Sequence, residues 1–319
     1  MTGCTPIGSD LTAWETSRLS VPLVFAAKSI GFLGPVGTFT EEALRLTLAH
    51  PPAGSAADPV IIPYPSLPDT AQAVADGAVE CALVPIENSI EGSVSVTVDL
   101  LAHEIDNVQV VREVRLPIRH RLIARPGVRL QDITKVVSHP HANAQCRRWL
   151  REHLPGVEVE AANSTAQAVE KVSAIADRTW AAIGTELAAE AYGCVVLEQS
   201  IEDHDDNETR FIYLSQTRER QDLSEPYKTS MVCKILKDQP GALLLILQEF
   251  AHRYINLTKI ESRPSKRSLG DYIFLIDLEG RVDDQVVNDA LRCLTCKLLE
   301  VKVLGSYPMG LPVAAPDAF

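Results

Sequence analysis

The chain has no long apolar run. Nothing in its 319 residues approaches the roughly 20 consecutive apolar residues needed to cross a bilayer, and no membrane partner is expected. The run Leu19–Ala27 makes a poor secretion signal. Arg18 before it stands against Asp10 and Glu15, and Lys28 follows at once. Residues 1–28 read instead as a poorly ordered N-terminal extension, and the location as cytoplasmic. Positive charge is also short. Lys and Arg number 30 against 42 Asp and Glu, a net charge of −12, which argues against a nucleic-acid partner. An anionic ligand must then be held by local positive features, not by the global field. The seven cysteines are scattered and odd in number, as in reduced cytosolic proteins. Cys293 and Cys296 form a CxxC without a second pair, so they read as buried thiols, and no metal is expected. Aromatics make up only 5% of the chain. Overall apolar content is ordinary, enough for two or three domains with normal cores.

What is present is alternation. Strand patterns at Ile30–Leu33, Val60–Pro63 and Cys81–Val84 are each followed by a helical pattern, at Thr40–Ala49, Leu67–Asp76 and Val94–Ala102. A longer β stretch, Val108–Ala124, is broken by Pro117. Strands Lys135–Ser138, Val157–Ala161, Trp180–Ile183 and Cys194–Leu197 then alternate with helices Ala142–His153, Thr165–Ala176 and Glu186–Tyr192. Phe211–Leu214 closes the region. Repeated β-α units imply an α/β fold with parallel-rich sheets covered by helices. Two sets of such units predict two lobes around a cleft within residues 29–215. Lobe one takes about 29–105 and 192–215, and lobe two about 106–191. Residues 216–228 read as a linker. Residues 229–308 follow a βαββαβ order, the ferredoxin-like split unit. Residues 309–319 read as a loose tail.

Several turns carry chemistry. Thr38 and Glu41 after Gly34-Pro35-Val36-Gly37 fit a capping box, as do Ser164 and Gln167. Ser138-His139-Pro140 and Gly184-Thr185 also stand between a strand and a helix. Each such helix start offers free N–H groups and partial positive charge, which can seat a carboxylate without net cationic charge. Taken singly, each is also an ordinary cap. Glu87 and Asn88 end a strand, where α/β sites usually lie. The acidic stretch Glu202–Glu208 fits no standard calcium loop and reads as solvated. It runs into Thr209-Arg210-Phe211, a hydroxyl beside a guanidinium, a pair suited to an anionic substrate.

Five of these elements, in this order, resemble the prephenate dehydratase family: Gly34–Thr40, Pro85–Ser89, Ser138-His139-Pro140 with Gln145, Ser164-Thr165-Ala166, and Thr209-Arg210-Phe211. The last module resembles an ACT domain, an amino-acid-sensing unit. Its Gly241-Ala242-Leu243-Leu244 and Glu261-Ser262-Arg263-Pro264 match the two elements with which the family binds phenylalanine. The chain departs from the family at Glu208, where a proline is usual, and at Asn163, where an acid is common. The first change is expected to loosen the loop before Thr209.

The resemblance implies a two-lobed, type II periplasmic-binding-protein-like catalytic region followed by the ACT module. It implies decarboxylative dehydration of prephenate to phenylpyruvate, with no cofactor, because aromatisation drives the reaction. Thr209 would donate to the departing hydroxyl, and Arg210 would clamp a carboxylate or hold the loop. Glu87 and Asn88 would orient the substrate and Thr209. Phe211 would pack on the ring or shield the site, while Thr38, Ser138, Gln145, Ser164 and Thr165 would bind substrate oxygens. Glu87 with a raised pKa, or His139, stands as a rival acid. Phenylalanine as effector would bind between two ACT modules, which requires at least a dimer and commonly a tetramer. Residues 1–28 are too short for a chorismate mutase bundle, so the implied member is monofunctional. Arogenate dehydratase, or a non-catalytic amino-acid-sensing or solute-binding protein, are the alternatives.

Overall fold

The computed structural model describes residues 22–49, 58–218, 225–235, 240–266 and 271–310. Three sheets organise them. The first contains β1 (Ser29–Leu33), β2 (Val60–Tyr64), β3 (Cys81–Asn88), the short β4 (Gly92–Ser93), β5 (Gln109–Pro117) and β11 (Glu208–Ser215), in the order β2-β1-β3-β11-β5 with β4 beside β3. The pairs β1/β2 and β1/β3 are parallel, whereas β11 runs antiparallel between β3 and β5. The second sheet contains β6 (Arg121–Ala124), β7 (Lys135–Ser138), β8 (Glu158–Ala161), β9 (Trp180–Gly184) and β10 (Val195–Glu198), in the order β10-β6-β9-β7-β8. The third contains β12 (Tyr227–Lys234), β13 (Leu257–Pro264), β14 (Tyr272–Glu279) and β15 (Glu300–Pro308), all antiparallel, in the order β13-β14-β12-β15 of a split βαββαβ unit.

The lobe boundaries differ from the sequence expectation of 105/106 and 191/192. Strand β5 belongs to the first sheet and β10 to the second, so the chain crosses between lobes at residues 118–120 and 199–207. Pro117 is the cause at the first crossing. It ends the long β stretch, and the chain re-enters as β6 in the other lobe. The expected helix Ala142–His153 is two helices, Pro140–Gln145 and Arg147–His153, meeting at Cys146. Asp203, expected in a solvated loop, caps the second of them. Its carboxylate accepts from the amides of Arg148 at 2.9 Å and Trp149 at 3.1 Å.

Part of the expected N-terminal extension is structured. Residues Leu23–Ala26 form a helical turn, and Val24 and Ala27 are buried with Ile30, Phe32 and Leu44 in the core on one face of the first sheet. At the other end, Met309 N donates to Pro226 O at 2.9 Å and Gly310 N to Glu113 Oε1 at 2.9 Å. The start of the expected loose tail is therefore tied down. The remainder of residues 1–28 and 309–319 lies outside the described residues. Cys293 is half-buried and Cys296 exposed, not the buried pair the CxxC spacing predicts. The thiols of Cys81, Cys146, Cys194, Cys233 and Cys293 are free.

The third sheet is not a pendant. One face carries its own helices, Ala242–Ala251 and Gln285–Thr295, whose Phe250 and Leu291 pack with Met231 and Ile276 of the sheet. The other lies on the first sheet, where Val232, Ile273, Leu275, Leu304 and Tyr307 share one core with Val84, Ile86, Ile212 and Leu214. Approach is close enough that a Cβ on Gly305 would sit 2.2 Å from the carbonyl oxygen of Val110. Among the described residues no helix is long and apolar enough to cross a membrane.

Candidate active site

The segment Thr209-Arg210-Phe211 opens β11, and the pleat sends alternate side chains to opposite faces of the first sheet. Phe211 and Tyr213 enter the core with Phe32 and Leu44, while Ile212 and Leu214 enter the core shared with the third sheet. Thr209 goes with the first set and Arg210 with the second. Strand β3 would not match this alternation without help. A bulge at Ile86 places Glu87 opposite Arg210 and Asn88 opposite Thr209. One extra residue thus re-aims both polar side chains at the end of β3.

On the Thr209 face the groups are uncharged as far as the Glu91 carboxylate that ends the chain. Asn88 Oδ1 accepts from the amides of Ile90 and Glu91, both at 3.0 Å. That fixes the amide, so Asn88 Nδ2 must face Thr209 Oγ1 at 2.9 Å and Asn207 Oδ1 at 2.8 Å. Thr209 is the acceptor in this bond, and its own proton remains available to donate. Asn207 Nδ2 donates onward to Gln145 Oε1 at 2.9 Å, and the ring of His120 meets the same oxygen through Nε2 at 2.9 Å. Gln145 Nε2 donates to Glu91 Oε1 at 3.2 Å. This chain joins the lobes, since Asn88 and Thr209 belong to the first sheet, Gln145 to the second lobe, and Asn207 and His120 to the two crossings.

On the Arg210 face the groups are charged. Arg210 is 12% exposed and ion-paired through Nη1 to Glu87 at 3.2 Å, through Nε to Glu113 at 3.0 Å and through Nη2 to Asp277 at 2.7 Å. Nη2 also donates to Tyr307 Oη at 3.2 Å. Burial pulls the guanidinium pKa down, but Tyr307, Asp277 and Glu113 outweigh it and hold the charge on. Lys228 donates twice to Glu113, at 3.0 and 2.9 Å, and Ser230 to Asp277 at 2.5 Å. The carboxylate of Glu87 meets Lys259 of β13 at 2.8 Å. Glu87 and Arg210 therefore face the ACT-like sheet, not Thr209. A buried ion cluster must be nearly complete to be tolerated, since each unpaired charge costs several kcal/mol.

The other expected substrate contacts sit at helix starts whose side chains are already engaged. Thr38 accepts from Glu41 N at 3.4 Å and donates to Leu33 O at 3.0 Å, while Glu41 reaches back to Gly37 N at 2.7 Å. Ser164 accepts from Gln167 N at 3.0 Å, and Gln167 reaches back to Asn163 N at 3.1 Å. In both boxes the glutamate or glutamine closes on the residue before the cap, and among the described residues no side chain takes the N1 and N2 amides of Phe39 and Thr40 or of Thr165 and Ala166. Ser138 is fully buried and donates to Ile183 O at 2.7 Å, so its hydroxyl does not open to a cleft. His139 caps its own helix through Nδ1, and burial, then His141, pushes its imidazole pKa down. Phe211 is 2% exposed and packs beneath the site; it does not shield it. Glu208 does not loosen the loop. Its N–H, which a proline lacks, donates to Ser89 Oγ at 2.9 Å, and its carboxylate pairs with Arg115.

The lobes also touch at the turn after β1. Thr185 donates to Gly37 O at 2.6 Å, and Tyr192 to Val36 O at 3.3 Å. Gly37 has φ +88°, and a Cβ there would meet Ala188 Cα at 2.7 Å. Only glycine fits this contact. In the third sheet, Gly241–Leu244 and Ser262 line one cavity of about 400 Å³, with Tyr272 and Phe274. Glu261 and Arg263 do not join it. They alternate to the other face of β13, where Glu261 accepts from Ser93 at 2.5 Å and Arg263 pairs with Asp99 at 2.8 Å. Pro264 is exposed at the end of the same strand. Among the described residues no cluster of three or more His, Cys, Asp or Glu is arranged to hold a metal.

Sequence reasoning missed Asn207 and His120. Both are about 2% exposed, yet Asn207 sits in the acidic stretch that reads as solvated, and His120 lies in the β stretch Val108–Ala124 between two arginines. Each lies where the chain passes from one lobe to the other, at crossings the sequence expectation placed elsewhere, so nothing local pointed to them.

A family model described as prephenate dehydratase matches residues 30–219, and one described as ACT domain matches residues 232–292. The prephenate dehydratase of Mycolicibacterium vanbaalenii is 40% identical over 293 residues, covering 90% of this chain and 93% of that protein. The crystal structure of prephenate dehydratase from Arthrobacter aurescens in complex with L-Phe is 40% identical, with a TM-score of 0.77, covering 88% and 89% of the two chains. A structure described as a novel type of quorum quenching acylase is 30% identical, with a TM-score of 0.75, covering 90% and 98%.

Proposed function

The chain belongs to the prephenate dehydratase family, and from that premise we propose that it converts prephenate to phenylpyruvate, carbon dioxide and water. The observation that carries the proposal is the direction of one hydrogen bond. With Asn88 pinned by two backbone amides, Thr209 Oγ1 accepts at 2.9 Å and keeps its own proton for a substrate. Loss of the ring carboxylate as carbon dioxide pushes an electron pair into the ring. That pair expels the ring hydroxyl, which takes a proton and leaves as water. Thr209 acts as an oriented donor, since a threonine hydroxyl does not titrate near neutrality. Gln145 keeps Nε2 toward Glu91 and the region between the lobes, where it contacts the substrate. The unspent amides at the helix starts of Thr38 and Ser164-Thr165 receive carboxylates.

Arg210 and Glu87 take a different part from the one their place in the motif implies. They tie the Thr209 strand to the ACT module. Phenylalanine as effector binds at the Gly241–Leu244 and Ser262 cavity, its carboxylate on the helix start at Gly241. Regulation follows if phenylalanine favours one arrangement of the charged interface over another. The exposed Leu244 and Ile260 beside the cavity support a cytoplasmic dimer or tetramer joined through ACT modules.

The experiment is phenylpyruvate formation from prephenate by the intact chain and by Thr209→Ala, with and without phenylalanine. Turnover that Thr209→Ala abolishes and phenylalanine alters is the expected result. A folded chain that leaves prephenate unchanged overturns the proposal and directs the assay to arogenate, and then to ligand binding without turnover.

A further inference from the structure

We propose that His120 is a positioning residue for the reaction, holding the Gln145 amide in the one orientation that completes the Asn207–Asn88–Thr209 chain. The inference rests on the proposed dehydratase reading but concerns a residue outside the five family elements.

The Gln145 side chain is constrained at its oxygen. Its Oε1 is approached by Asn207 Nδ2 and His120 Nε2, both at 2.9 Å. An amide nitrogen can only donate, so Gln145 must present its oxygen to Asn207, and His120 must then donate from Nε2. Two donors on one carbonyl oxygen hold the amide against a flip that would set N–H against N–H. The Gln145 Nε2 group is thereby aimed at Glu91 Oε1, at 3.2 Å.

The imidazole is committed to this role at a cost. His120 is 2% exposed, packs edge-on to Phe39 with ring centroids 5.5 Å apart, and its Nδ1 has no hydrogen-bond partner among the described residues. A buried polar atom without a protein partner destabilises a fold, and an apolar side chain of similar size would avoid that. Burial holds the imidazole pKa low, with Glu202 the charged group acting against it. The ring is then uncharged with a single N–H, and the geometry places that N–H on Nε2.

The discriminating variants are His120→Gln, whose terminal nitrogen reaches the Nε2 position, His120→Asn, whose nitrogen reaches only the Nδ1 position, and His120→Leu. We expect His120→Leu and His120→Asn to lower kcat about tenfold or more, with KM changed less than about threefold. His120→Gln should recover most of the loss. The unfolding midpoint of His120→Leu should be unchanged or higher. A readout independent of turnover is the ¹⁵N side-chain amide resonance of Gln145, assigned by its loss in Gln145→Leu. It should shift in His120→Leu and return toward the native position in His120→Gln. Equal activity in all four proteins, or equal loss in Gln, Asn and Leu, overturns the proposal, as does a Gln145 resonance unmoved in His120→Leu. If the native chain leaves prephenate unchanged, the dehydratase reading fails, and the resonance still decides the positioning role.

Discussion

The two faces of β11 differ in kind. One residue apart, Thr209 enters a chain of neutral amides and Arg210 enters a cluster of buried charges. On the neutral face every bond has a forced direction, from the backbone amides at Ile90 and Glu91 to the hydroxyl of Thr209, and the product is an oriented proton. On the charged face the groups hold elements together. Glu113 comes from β5, Glu87 from β3, Lys228 from β12 and Asp277 from β14, and Arg210 binds all but the lysine. The lesson is that a strand motif contiguous in sequence serves two purposes in space, chemistry on one side and assembly on the other.

Substitutions should separate the faces. The largest effect is expected from Arg210→Ala, which leaves Glu113 and Asp277 buried without their shared cation. Stability should fall by about 3–5 kcal/mol, read by urea unfolding. A loss of kcat at unchanged stability would show instead that Arg210 belongs to the chemistry. Next comes Thr209→Ala, with kcat reduced about 10²–10³-fold and the unfolding curve nearly unmoved; Thr209→Ser should retain much of the activity. Asn88→Asp removes the amide donor while keeping shape. It should cost about 10–100-fold in kcat, and steady-state kinetics with matched thermal melts would check that the loss is catalytic. The smallest effect is expected for Lys259→Met. Glu87 keeps Arg210, so stability should change by about 1 kcal/mol or less, but the phenylalanine dose–response should shift. An unchanged dose–response would remove Lys259 from the route between the modules.

Much of the architecture was legible because periodicity reports burial. The β-α alternation and the βαββαβ order both follow from apolar spacing, and both are present. The lobe boundaries were not legible, because β5 and β10 read as apolar runs like their neighbours and nothing local says which sheet each joins. The site was half legible. Asn88 and Thr209 share a hydrogen bond, and Gln145 joins them through Asn207. Glu87 does not join them, because the bulge at Ile86 inverts the alternation at the end of β3, and a bulge leaves no mark on composition. The hydroxyl of Ser138, expected to bind substrate, is spent on Ile183 O. His120 and Asn207 were hidden by charged neighbours, since a polar residue in a polar stretch gives no sign that tertiary packing will bury it.

The order of the first sheet has a consequence for the nascent chain. Strand β11 lies between β3 and β5, yet the ribosome delivers it only after the whole second lobe, some 90 residues later. Until then β3 and β5 each present an unpaired edge, and the lobe that begins first cannot finish first. The second lobe, made of one continuous segment, is free to fold while the gap waits. The strand that closes the gap carries Thr209, so the sheet and the site are completed in the same late event of synthesis.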